Sequence, residues 1–196
     1  MDRMKLAAVA VVAALVGASS GCSSEVVPAP VGVSDSQPTA GQVVDPAGFE
    51  EELSEAAALC PDVLTPARLE ASIDAVSGWR TGVENAAGVR GLAQLPDPLF
   101  LRHAPEGSDP DDPQAAITAM ANYVCDVKGQ LEGPYDRGEL ELRDWSPTGA
   151  DSAGDTELLG LTLAGVMAGP GYVLKNGGAS AQDANFAEVM DMVMYA

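Results

Sequence analysis

The chain is poor in positive charge: 10 Lys and Arg stand against 29 Asp and Glu, for a formal net charge of −19. An acidic surface of that size repels polyanions, which excludes DNA and RNA as partners. Metal-ligating residues are also scarce, with one histidine, three cysteines and no CxxC or His/Cys group, so neither a metal site nor a cofactor is expected. Aromatics are few and no stretch keeps up apolar–polar alternation, which argues against an extensive sheet. The apolar run "LAAVAVVAALVG", Leu6 to Gly17, is too short to span a bilayer.

That run suits export instead. It follows the charged start "MDRMK" and precedes the small residues of "ASSGCSSE", an arrangement that predicts a signal peptide over residues 1–21. The small residues before Cys22 resemble the lipobox of bacterial lipoproteins, although Ser19 stands where that motif usually has Leu; ordinary secretion with cleavage near Ala18 or Gly21 is the alternative. Lipidation of Cys22 would anchor the protein at the outer face of the cytoplasmic membrane, because more than one acyl chain holds where one binds only marginally. Residues 22–46, rich in Pro, Ser, Gly and Val, read as a flexible tether, and residues 47–196 as one domain. An odd cysteine count also favours a special role for Cys22. It leaves Cys60 and Cys125 to form a disulfide, whose loop of about 65 residues would contribute roughly 4 kcal/mol by chain entropy.

Helical signals fill the domain, giving an all-α fold class. Asp45 and Pro46 precede an acidic first turn in "DPAGFEEELSEAAALC", and Thr65 and Pro66 open a second helix that Gly78 ends. "DPDDPQAAITAMANYVCDVKGQL" begins with Asp and Pro caps and spaces Ala116, Ile117, Met120, Tyr123, Val124 and Val127 on one face. "DTELLGLTLAGVMAGPGYVL" is an apolar helix broken at "GPG", and "AQDANFAEVMDMVMYA" a final amphipathic one. "DRGELELRDW", Asp136 to Trp145, reads as a solvated charged helix or loop.

Four stretches, in order, carry a resemblance: "CPDVLTPARLEASIDAVSGW", "NAAGVRGLAQLP", "SDPDDPQAAITAMANYVCDV" and "LTLAGVMAGPGYVLKNGG". Together they resemble the lysozyme-like catalytic domain of soluble lytic transglycosylases, especially an exported subgroup with a helix–helix disulfide at matching cysteines. The resemblance implies a lysozyme-like single domain whose groove binds peptidoglycan glycan strands. In active members one glutamate, in a Glu-Ser-Gly-Trp motif, protonates the glycosidic oxygen while the substrate's N-acetyl group assists closure of an anhydro product. That is a departure from the two-carboxylate pattern of most glycosidases. A lone acid of this kind needs an apolar surround to stay protonated.

Here the glutamate position is Val76, and the Tyr-Asn pair of the fourth stretch falls at Val166 and Met167. No catalytic residue is therefore expected. Asp74 lies about 200° round the helix from Val76, and Glu70 about 9 Å along it, so neither replaces the missing acid. Candidate groove residues are Ser77, Trp79, Gln94, Val166 and Met167, with Trp79 either core or groove wall and Gln94 either a sugar contact or a packing residue. Gly88, Gly91 and Gly171 read as backbone geometry, His103 as a solvated loop residue, and Asp111 or Asp112 as a helix cap rather than a calcium ligand.

Three functions fit. The favoured one is a non-catalytic, transglycosylase-like envelope lipoprotein that binds glycan strands or docks another envelope protein. An active transglycosylase using a displaced acid, Glu84 or Glu139, is the alternative. A structural or secretion-accessory protein without glycan binding is the third.

Overall fold

The computed structural model describes residues 41–144, 153–180 and 193, with no side-chain description for 153–155. The signal peptide, Cys22 and most of the tether lie outside the described residues, as does all of 181–196 except Val193, which is helical and buried. Among the described residues the chain is mainly helical, as the periodicity predicted.

A 3-10 turn, Pro46–Phe49, capped by Asp45 accepting from the Ala47 N–H, leads into α1, Glu50–Ala57. Three glutamates fill the first turn of α1, where the helix dipole favours negative charge. Next, α2 (Pro66–Ser77) starts where Thr65 Oγ1 accepts from the Arg68 N–H at 3.1 Å and Pro66 takes the first turn. A short α3, Asp97–His103, precedes α4, Pro113–Asp136, whose N-cap is Asp112. The cap reading of Asp112 holds: its carboxylate accepts from the Gln114 N–H.

Helix α4 is the centre of the domain, because α1, α2, α3, α5 (Ala153–Ala168) and α6 (Pro170–Lys175) all pack on it. All six apolar residues expected on its inner face are buried, and each such burial contributes on the order of 1.5–3 kcal/mol for the larger side chains. α5 approaches α4 closely at Gly165, where a Cβ would stand 2.6 Å from Val127 Cγ1. A small residue is needed there because both helices are already packed to contact.

Two expectations need correction. The stretch after α4 is neither a helix nor a solvated loop: it carries β1, Glu141–Arg143, paired in parallel with β2, Gly178–Ser180. Leu140 and Leu142 are buried while Glu139, Glu141 and Arg143 face out, so "ELELR" is a short alternating strand. Gly178, at φ +122°, lies against the Glu141 backbone, where no Cβ fits. The packed domain also begins before Ala47. Val44 N–H donates to Trp79 O at 2.8 Å and Thr81 N–H to Gln42 O at 3.0 Å, so the last residues assigned to the tether are pinned beside the end of α2.

Candidate functional site

The candidate site starts where α2 stops. Gly78 takes the left-handed conformation, φ +59°, and its N–H donates to Asp74 O at 2.7 Å, closing the helix as a terminal glycine does. Trp79 is left-handed as well, φ +54°, a conformation that a bulky residue keeps only when its surroundings hold it. Its ring stacks on Phe49 at a centroid distance of 6.3 Å, its indole N–H reaches Glu70 O, and its side chain is buried. Trp79 is thus core. Ser77 is buried with its hydroxyl donated to Ile73 O at 3.0 Å, and Val76 is half-buried against the core.

The chain then forms a tight turn in which the backbones of Glu84 and Arg90 make an antiparallel bridge and Asn85 Oδ1 accepts from the Ala87 and Val89 N–H groups. Gln94, at φ +47°, closes the base of that turn: Nε2 donates to Val83 O at 3.1 Å and to Gly91 O at 2.8 Å. Both amide hydrogens are committed to the backbone, which leaves Oε1 as the polar atom Gln94 can offer a ligand. Gly91, at φ +87°, lies against Pro110, whose carbonyl a Cβ would strike. Leu92 N–H donates to Pro110 O, and Gly82 N–H to Asp111 Oδ1 at 2.8 Å. The second and third sequence stretches are therefore hydrogen-bonded to each other, and Gly82 and Val83, just after the first, are bound to them.

The fourth stretch ends α5. Val166 packs half-buried against the same core, Met167 is exposed, and Gly169, at φ +87°, turns the chain into α6 at Pro170. Val76, Val166 and Met167 present only hydrocarbon and thioether surface. None of them can donate or hold a proton.

The carboxylates named as substitutes do not have the setting of a proton donor. Asp74 and Glu84 are exposed to water, and Glu70 is half-buried. Glu139 is exposed and clasped by Arg137 through bonds of 2.6 and 2.9 Å; that bidentate bond holds its carboxyl below the ordinary range, the reverse of what a proton donor requires. A cleft of ≈ 510 Å³ beside Trp79 opens onto the Glu70 and Asp74 face of α2. A second, of ≈ 630 Å³, lies between α1 and the start of α4, with Glu51, Glu52, Glu55 and Asp112 at its edge and Leu59 and Ala115 among its apolar lining.

Cys60 and Cys125 do not form the expected bond in this structure. Both are free thiols lying side by side. Burial first, and then the hydrogen bond with Cys60, push the Cys125 thiol up to about 12, so in the reduced form it is not a nucleophile at neutral pH.

No family model, curated protein or solved structure matches the chain.

Two polar groupings were not foreseen. Glu157 on α5 joins three elements: one carboxylate oxygen accepts from the Leu142 N–H of β1 at 3.0 Å and the other from the Tyr135 hydroxyl of α4 at 3.3 Å. His103 is not a solvated loop residue. It ends α3 with its side chain only 8% exposed, 3.7 Å from Asp126 Oδ2. The buried side of α3 is set by Phe100, and a helix of seven residues gave too short a period for the sequence to reveal it.

Proposed function

We propose that this chain is an envelope lipoprotein, anchored through Cys22 outside the cytoplasmic membrane, whose lytic-transglycosylase-like domain binds peptidoglycan glycan strands, or docks another envelope protein, without cleaving them. The observation that carries the non-catalytic half is Val76 itself: it is apolar and half-buried against the core, and the positions that would hold the family's Tyr-Asn pair are Val166 and Met167. A lone general acid has to be a carboxyl group desolvated enough to keep its proton. Of the acids named as substitutes, Asp74 and Glu84 are exposed, Glu139 is exposed and paired with Arg137, and Glu70 lines the cleft on another face of α2.

The four stretches named above support the glycan-binding half, with the hydrogen bonding of the second to the third. The alternative, an active transglycosylase using Glu84 or Glu139, requires one of those exposed acids to be desolvated by bound substrate. Sedimentation of the purified chain with insoluble peptidoglycan tests binding. Enrichment over a control protein of equal charge supports the proposal, and none would leave the protein-docking or accessory role.

A further inference from the structure

His103 is the one histidine of the chain. It holds the end of α3 to α4 in two ways: its carbonyl accepts from Asn122 Nδ2 at 2.8 Å, and its ring lies against Tyr123 at a centroid distance of 5.4 Å. Nε2 is enclosed and has no hydrogen-bond partner among the described residues. The nearest opposite charge, Asp126 Oδ2, is 3.7 Å away, beyond hydrogen-bonding distance, on a carboxylate that is 41% exposed and so well hydrated. Asp126 and Tyr123 face the ring from α4, the helix on which α3 packs, and Arg102 acts on it from α3 itself.

Burial disfavours the imidazolium, Asp126 favours it and Arg102 disfavours it. Burial is the largest effect, and it holds the group below its ordinary value of 6.5. Tyr123 does not compete for protons in this range, because burial, with Asp126 adding to it, raises its phenol above the usual value.

We propose that His103 is a pH-sensitive latch: the neutral ring packs α3 onto α4, and its protonation on acidification releases α3. A histidine whose folded value is depressed contributes stability that is complete above the unfolded value of 6.5 and is lost as pH falls from there through the folded value, because the opened state takes up the proton first. The release has a surface to act on. The chain leaving α3 supplies Pro105, Ser108 and Asp112 to the acidic cleft against α1, so that cleft changes shape when α3 leaves.

Native-state hydrogen exchange in the full chain tests this, reading the Phe100 and Ala104 amides, which close α3, against amides of α5 between about pH 7.5 and about pH 5. After correction for intrinsic exchange, the opening of α3 is expected to rise as pH falls below 6.5, by at most about tenfold per pH unit, the limit for one proton. α5 should not follow, and His103→Gln should abolish the rise. Unchanged or increased protection of α3 in acid, or the same rise in His103→Gln, overturns the latch. If His103→Gln does not fold, NMR titration of the imidazole in the wild-type chain decides. A midpoint below 6.5 that moves lower still in Asp126→Asn supports the latch, and a midpoint at or above 6.5, or an upward move, overturns it.

Discussion

The indole N–H of Trp79 donates to the main-chain carbonyl of Glu70, 3.3 Å away, so the second residue past α2 is folded back against the helix it has just left. With Phe49 stacked on the other side, Trp79 fastens the entry of α1 to the exit of α2. Trp79→Ala is therefore expected to lower unfolding stability by about 3–5 kcal/mol, as truncation of a buried tryptophan does. Urea titration checks it. Trp79→Phe, which keeps the stack and loses only the hydrogen bond, should cost much less; equal costs would contradict a packing role.

Gly165 sets the spacing of α5 on α4. Gly165→Ala puts a methyl group 2.6 Å from Val127 Cγ1 and should destabilise by about 1–3 kcal/mol through overpacking, although alanine is the better helix former. A rise in melting temperature would contradict the close approach.

Glu157→Ala removes the acceptor of the Leu142 N–H, beside a buried side chain. Leaving that donor unpaired is expected to cost about 1–3 kcal/mol. The damage should centre on the β1–β2 pair, seen as faster hydrogen exchange at Leu142 than in the wild type.

Reduced Cys125 should alkylate slowly through mildly alkaline pH, because burial and its hydrogen bond with Cys60 push its thiol up to about 12. Exposure to a thiol–disulfide oxidant should close the Cys60–Cys125 bond, read by mass spectrometry as the loss of two hydrogens and by a higher melting temperature. Rapid alkylation near neutral pH would contradict the buried pairing.

Much of the helical frame was legible in the sequence because its signals are local. Thr65, Pro66 and Gly78 mark both ends of α2, Asp112 starts α4, and the spacing from Ala116 to Val127 names its inner face. The β1 strand is not legible in the sequence, since "ELELR" alternates only over one short, highly charged run and its partner, β2, lies 37 residues on in the register Glu141↔Gly178. The setting of His103 is hidden for a similar reason: burial of a lone ring depends on how α3 packs on α4, which no neighbour in sequence records. At the candidate site the sequence named the residues, but only packing decides between roles for Trp79 and Gln94. Both are committed to the fold, Trp79 by stacking and Gln94 by two bonds to backbone carbonyls.

Val76→Glu is expected to remain inert on peptidoglycan. Val166 and Met167 supply no hydrogen bond to orient a new carboxyl group, and an acid without preorganised polar support gains little in the transition state. Weak cleavage by this variant would show that the rest of a working groove persists.

The most direct measurement is turnover by the native chain: incubation with purified sacculi, followed by chromatography of released anhydro-muropeptides. The account predicts no release above buffer. Release that disappears on substituting one of Glu70, Asp74, Glu84 or Glu139 would contradict it, by showing that a displaced acid does the work Val76 cannot.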